Sequence, residues 1–380
     1  MEYITLKEIA EITMGQSPDS KTYNEDKEGI PFYQGKSDFG KLNPVPRVWC
    51  SKPVKIAKKN DILISVRAPI GDTNITREQC CIGRGLASIR PINSTNINDK
   101  YLYYLINSKY NELNKFGTGS TFKAITKDSL CNLKCKKVPD INIQIEIAKK
   151  LDMVNRLIEI RKKQIESLNT LIKSQFVEMF GDINTNEMNW NSDVLKRHLK
   201  VVGGYAFKSK EFKDNGIPIL RIGNINAGYF KPKDLMFWQE EQKLHNYVIY
   251  PNDLVMSLTG TVGKEDYGNV CIMGNDFEKY YLNQRNAKLI LADTLNKFYI
   301  TYALRVKEIK KRLTGISRGV RQANIANKDI ENLNIPIPPI ELQNQFAEIV
   351  KQIDKQKFEI EQSLKETEEL YETLMAKYFE

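Results

Sequence analysis

Arginine, glutamine and asparagine side chains set in basic, turn-rich segments are the residues of this 380-residue chain best suited to chemistry, and the chemistry open to them is paired hydrogen bonding to planar polar groups and to phosphates. Arginine donates two hydrogen bonds to a guanine edge, Asn or Gln pairs with adenine, and Lys, Ser and Thr grip phosphates. The first half of the chain offers Gln16, Ser17, Lys36, Arg47, Arg67, Arg84, Thr118, Ser120, Thr121 and Lys123. The second offers Tyr205, Lys208, Arg221, Asn224, Thr259, Gln284, Arg285, Arg318, Arg321 and Gln322. Each of these residue types also serves as ordinary solvated surface. Gly85, Gly117 and Gly119 read as turn formers, and Asp61 and Asp253, at the starts of strand-like runs, as turn or capping residues. Tyr101, Tyr103 and Tyr104 sit at helical spacing and read as core packing.

Catalysis has no candidates. A glycine loop for adenosylmethionine and an Asn/Asp-Pro-Pro-aromatic box are both missing, and no Pro-Asp with a placed Glu-x-Lys marks a nuclease. Gly260-Thr261-Val262-Gly263-Lys264-Glu265 has the wrong spacing for a phosphate loop and falls where the other half has Ala68-Pro69-Ile70-Gly71-Asp72, so it reads as a strand-connecting turn. Cys50, Cys80, Cys81, Cys131, Cys135 and Cys271 are scattered unevenly, and His198 and His245 are the only histidines. That supports neither a disulfide framework nor a zinc site, and the cysteines read as buried and reduced. No cofactor is expected.

What must position the candidates is a structure built twice. Lys127-Asp128-Ser129-Leu130-Cys131-Asn132-Leu133, then Val138-Pro139 and Gln144, returns as Lys328-Asp329-Ile330-Glu331-Asn332-Leu333, then Ile337-Pro338 and Gln343. Upstream, Gly29-Ile30-Pro31 matches Gly216-Ile217-Pro218, Asn60 to Ser65 matches Asn252 to Ser257, and Gly71 matches Gly263. Each copy opens with a helical segment, Leu6 to Ile12 or Leu195 to Val202, and continues in short strand-like runs to a tyrosine-rich helix. Arg67 and Thr259 differ at one scaffold position, as two readers of different sequences should. Residues 1–140 carry 22 Lys+Arg against 15 Asp+Glu, and residues 183–338 carry 23 against 16, so the basic charge belongs to the globular parts. Basic surface of this kind points to an acidic partner such as nucleic acid.

Long heptad patterns follow each globular part. The first runs through Leu151, Val154, Ile158, Arg161, Ile165, Leu168, Ile172, Gln175 and Met179, the second through Val350, Ile353, Lys357, Ile360, Leu364, Thr367, Tyr371, Leu374 and Tyr378. Two such helices predict a coiled coil. Thirty helical residues span about 45 Å, a rigid spacer suited to two readers placed about one turn of B-DNA, roughly 34 Å, apart. Arg161 and Gln175 either set the register or reach to solvent.

The repeat, its tails and its motifs resemble the specificity subunit of type I restriction–modification systems. The residues that carry the resemblance are Gly29-Ile30-Pro31, Asn60-Asp61-Ile62-Leu63, Ile82-Gly83-Arg84-Gly85 with Asn283-Gln284-Arg285, Gly117-Thr118-Gly119-Ser120-Thr121 with Gly315-Ile316-Ser317-Arg318-Gly319, and the helix starts at Val138-Pro139 with Gln144 and Ile337-Pro338 with Gln343. The resemblance implies an α+β fold in which two repeated α/β target recognition domains, residues 1–140 and 183–338, alternate with helical spacers, residues 141–182 and 339–380. The spacers are expected to form an antiparallel coiled coil with pseudo-two-fold symmetry. It further implies a non-catalytic cytoplasmic subunit that reads a bipartite asymmetric site in double-stranded DNA, one domain per half-site. Its expected partners are two adenine methyltransferase subunits and the restriction subunits, with no membrane. A stand-alone nuclease or modification enzyme, or a repeat-built protein–protein adaptor, are the competing readings.

Overall fold

A computed structural model describes the whole chain except residues 1, 117–123, 262, 263, 265 and 316–321. The ends of each repeat are zipped together: Tyr3–Thr5 pairs antiparallel with Lys134–Lys136, and Ser192–Val194 with Asn334–Pro336. Between these zippers both repeats build the same antiparallel sheet. Its strand order is Ala10–Met14, Leu86–Pro91, Ile62–Ser65, Thr73–Ile75 in the first copy and Leu199–Gly203, Asn286–Leu291, Leu254–Ser257, Val270–Ile272 in the second.

The central strands read as unbroken apolar runs because both faces are covered. Ile62 and Ile64 enter a core with Tyr101, Leu105, Leu151 and Phe379, whereas Leu63 faces a second core with Tyr33, Cys80 and Ile82. The other copy divides Leu254 and Met256 from Val255 in the same way. That second layer is a mixed sheet around one parallel pair, Ile30–Tyr33 with Cys80–Ile82, and Ile217–Leu220 with Tyr280–Leu282. Glycine opens it in both copies. Gly29 (φ +85°) and Gly216 (φ +122°) occupy backbone conformations that disfavour a Cβ, which would in any case lie 2.1 Å from the Cys50 carbonyl oxygen or 2.4 Å from that of Trp238.

The helical openings are shorter than the sequence pattern predicts. Helix is confined to Leu6–Ile9, and in the second copy to a 3-10 turn at Leu195–Arg197, after which the chain becomes strand. Ala10 and Ile12 alternate inward and pair with the neighbouring strand, which overrides the helical spacing. The tyrosine-rich helices form as expected at Asp99–Ser108 and Lys297–Arg305. Their tyrosines are structural: Tyr104 Oη donates to Asp152 (2.8 Å) and Tyr299 Oη to the Pro336 carbonyl (2.7 Å).

The glutamine that follows proline at each helix start, Gln144 after Pro139 and Gln343 after Pro338, has a physical explanation. Gln144 is fully buried; its Nε2 donates to the Asn96 and Pro139 carbonyls, and its Oε1 accepts from Asn98 N at 2.9 Å. Gln343 repeats this with Thr294, Pro338 and Asn296 N. One amide thus fastens the first turn of a long helix to the cap of the tyrosine-rich helix. Replacing Gln144 by Leu strands one donor and two acceptors and is expected to cost on the order of 3 kcal/mol. The shift in the chemical-denaturation transition of the first repeat measures it, and a shift below about 1 kcal/mol would contradict the role.

The long helices span Ile141–Phe180 and Ile340–Phe379, 40 residues each. The chain divides into two compact units, residues 1–162 with 361–380, and residues 163–360, so each helix contributes to both. Within each unit the helical segments run antiparallel. In the first, Tyr101 packs on Phe379 (5.2 Å between ring centroids) and Lys162 pairs with Glu368 (2.8 Å). In the second, Phe176 and Phe180 meet Phe346 at 5.4 and 5.5 Å, and Lys357 reaches Asn169. Every heptad position named above is buried or half-buried. The helix ends also complete the domain cores, so they are more than a spacer: Ile147, Ala148 and Leu151 lie in the first core, and Ile172, Phe176 and Val350 in the second. Gln175 donates to Glu178 of its own helix (2.8 Å), a contact that sets no interhelical register.

Asp61 is buried and accepts from Ser88 Oγ and Lys58 N, with Arg90 at 3.1 Å; Asp253 accepts from Tyr250 N and Lys288. Both acids hold strand starts. Cys50, Cys80, Cys81, Cys135 and Cys271 are buried, and burial pushes the Cys135 thiol up to about 11 and that of Cys271 up to about 12, which keeps them protonated and inert at neutral pH. Cys131 is half-buried. Among the described residues no helix is long and apolar enough to cross a membrane, and no cluster of His, Cys, Asp and Glu is placed to hold a metal ion.

Candidate nucleic-acid interface

Strand ends converge at one edge of each repeat, held by main-chain hydrogen bonds that recur pair by pair. Gln16 N donates to the Ile82 carbonyl as Tyr205 N does to Leu282, Val66 N to Gly85 as Leu258 N to Arg285, and Ile125 N to Val66 as Ile325 N to Leu258. Close approach makes glycine necessary here: a Cβ on Gly15 would lie 2.1 Å from the Gly83 oxygen, and one on Gly204 2.3 Å from that of Asn283. These constraints bring the residues at 16–17, 67 and 84 together in the first unit and those at 205, 259, 284 and 285 in the second. The strand ladders also fix the register between the repeats. Leu86 and Asn286 lie opposite Ser65 and Ser257, which makes Gln284 the counterpart of Arg84, and Arg285 that of Gly85.

The candidates separate by what their side chains touch. Gln16, Arg67, Arg84, Gln284 and Arg285 are exposed, and among the described residues their side chains make no hydrogen bond or ion pair. Ser17 fastens the turn, its Oγ accepting from Arg84 N at 3.4 Å. Lys36 pairs with Asp72 (2.6 Å), and Arg47 donates to Asp38 and to the Ser37 carbonyl. Such exposed pairs are weak, about 0–1 kcal/mol, so phosphates can displace them. Lys208 is exposed, 3.6 Å from Glu211.

Tyr205 packs against Phe207 and Tyr247, at 5.0 and 5.3 Å between centroids. Asn224, 4% exposed, donates to the Lys231 and Lys233 carbonyls and accepts from Arg221 N, so its amide is committed to its own loop. The Thr259 hydroxyl is buried, without a hydrogen-bond partner among the described residues. Arg221 is half-buried at the end of Ile217–Leu220. The main chain of Gln322 lies in a strand paired with Thr259–Thr261. Thr118, Ser120, Thr121, Lys123, Arg318 and Arg321, with the Gly117–Thr121 motif and most of its counterpart, fall outside the described residues.

Sequence reasoning passed over Gln34, exposed at the end of Ile30–Tyr33, where its backbone oxygen approaches Gly85. Its signal was available: it stands three residues after Pro31 of the Gly-Ile-Pro anchor, as Arg221 does after Pro218.

A family profile described as "Type I restriction modification DNA specificity domain" matches residues 1–170 and 189–370. The chain is 43% identical to a protein described as the MjaX type I restriction enzyme specificity subunit of Methanocaldococcus jannaschii, over 41% of this chain and 36% of that one, so this match spans about a third of the relative's length. It is 25% identical to the type I restriction enzyme MjaIX specificity subunit of the same organism, over 91% of this chain and 85% of the relative. The crystal structure of a type I restriction–modification S subunit from M. genitalium has the same fold, with a TM-score of 0.61 at 16% identity, covering 100% of this chain and 96% of that one. With the profile matching both repeats, each carrying the same sheet, helix lock and loop cluster, the chain belongs to the type I restriction–modification DNA specificity family.

Proposed function

We propose that the chain is the non-catalytic specificity subunit of a type I restriction–modification complex, with each repeat reading one half of a bipartite site in duplex DNA. The observation that carries this reading is the loop cluster built twice on one backbone scaffold, with different exposed polar side chains on each copy. A shared frame with divergent tips is the arrangement for reading two sequences, and the +7 charge on each of residues 1–140 and 183–338 supplies attraction to phosphate. The recognition domains comprise residues 1–140 and 183–338. Residues 141–182 and 339–380 present outward helix faces to two adenine methyltransferase subunits, and restriction subunits join that assembly. Such a complex works on cytoplasmic DNA and supplies its chemistry from those partners.

Binding should be steeply salt-dependent, because each Lys or Arg that neutralises a phosphate releases counterions. With six to ten phosphate contacts, affinity for duplex DNA is expected to fall about 10³- to 10⁵-fold between 50 and 200 mM salt. Fluorescence anisotropy on a labelled duplex measures it, and an affinity that stays flat over that range would exclude the reading. Methyl transfer from adenosylmethionine to DNA by the purified chain alone would exclude the non-catalytic assignment.

A further inference from the structure

The two units carry one glutamine and one arginine in exchanged places. The parallel ladder fixes the equivalence: Tyr33 pairs with Ile82, and Leu220 with Leu282. One residue beyond the first strand of each pair stands Gln34 or Arg221, and two residues beyond the second stands Arg84 or Gln284. Where the first unit has glutamine the second has arginine, and the reverse holds at the other position.

All four are fastened through main-chain atoms. Gln34 N donates to Asp38 Oδ2 four residues on (2.7 Å) and Arg221 N to Asn224 Oδ1 three residues on (2.9 Å), so a short turn holds each. Arg84 N donates to Ser17 Oγ, and Gly83 N to the Tyr33 carbonyl at 2.8 Å, which holds the Arg84 turn alongside Gln34. In the second unit Asn286 Nδ2 donates to the Leu220 carbonyl (2.8 Å) and Gln284 N to the Tyr205 carbonyl. Gln34, Arg84 and Gln284 are exposed and Arg221 half-buried, and their side chains make no hydrogen bond or ion pair among the described residues. Fixed backbone with an unengaged bidentate side chain is what direct readout requires. Arg67 corresponds to Thr259, whose hydroxyl is buried, and Arg285 to Gly85, so neither position offers matched reach in both units.

We propose that Gln34 with Arg84, and Arg221 with Gln284, are the specificity-determining pairs, each arginine directed to a guanine edge and each glutamine to an adenine edge. The inference rests on the DNA-reading function above. Each domain then reads one G·C and one A·T pair with these residues, and the order of the two is reversed between domains.

The test applies the full chain to a random-sequence duplex library and sequences the bound pool for the natural chain, for Gln34→Arg with Arg84→Gln, and for Arg221→Gln with Gln284→Arg. The first double variant is expected to exchange a guanine and an adenine preference in one half-site and leave the other intact. The second does the same in the opposite half. A bidentate contact gives a preference of roughly 5- to 150-fold at each changed position. If one variant fails to fold, the other decides. A bound pool that keeps the natural sequence, or one enriched less strongly with no base exchanged, overturns the pairing while the natural chain's own site preserves the DNA-reading function. A natural chain that enriches no sequence overturns both.

Discussion

Replacing residues 183–338 with the corresponding segment of another family member is expected to change one half-site completely and leave the other untouched. The main-chain bonds that build the loop cluster close within each repeat, so those that hold the segments of Gln34, Arg67 and Arg84 are made by residues of the first domain itself. Each mismatched base pair costs about 1–3 kcal/mol, so three mismatches should lower affinity for the original site roughly 150-fold or more. Selection from a random duplex library, or mapping of methylated adenines with the methyltransferase subunits present, reads the outcome. A change in both half-sites would sink the assignment of one domain to one half-site.

Phe346→Ala should destabilise the second unit by about 3–5 kcal/mol, the range for losing a buried aromatic. Phe346 is fully buried and packs edge-on against Phe176, Phe180 and Tyr302, the point where both long helices and the tyrosine-rich helix meet. Edge-to-face geometry adds to the loss. Phe379→Ala, which removes the ring beside Tyr101, should act on the first unit in the same range. Substitutions at Ile165 or Leu364 are expected to cost less, because both are only half-buried and a charged group there can reach water. Hydrogen exchange resolves the units separately. Equal destabilisation by Phe346→Ala and Leu364→Ala would place the seam, not the domain core, at the centre of stability.

The heptads were legible because apolar residues every 3.5 positions leave little choice of face, and each heptad position is buried or half-buried. The doubled anchors were legible because backbone demands recur: Asn60 and Asn252 adopt the same positive φ, 70° and 71°, and Gly29 and Gly216 abut a neighbouring strand. The opening strands were not, since Leu6 to Ile12 satisfies helical spacing throughout and only the pairing of Ala10–Met14 with Ala87–Pro91 turns its end into strand. Asn224 illustrates why side chains at the site resist sequence reading. An amide suited to adenine is equally suited to closing a loop, and the two Lys carbonyls it serves lie seven and nine residues away in a stretch with no distinctive pattern. The exact register of Ile82-Gly83-Arg84-Gly85 against Asn283-Gln284-Arg285 needed the strand ladder, which makes Arg84 equivalent to Gln284 and Gly85 to Arg285.

The first unit takes its last 20 residues, 361–380, from beyond the whole of the second, and Phe379 is part of its core. During synthesis the second unit therefore has all of its segments on the nascent chain before the first does. The domain that emerges first from the ribosome must wait for nearly 200 residues of its neighbour, residues 163–360, with the face around Tyr101 and Leu151 still uncovered. Domains of multidomain chains ordinarily fold in order of emergence. Here the amino-terminal core is completed last, so premature termination that removes Phe379 is expected to damage the amino-terminal reader while leaving every residue of the second unit in place.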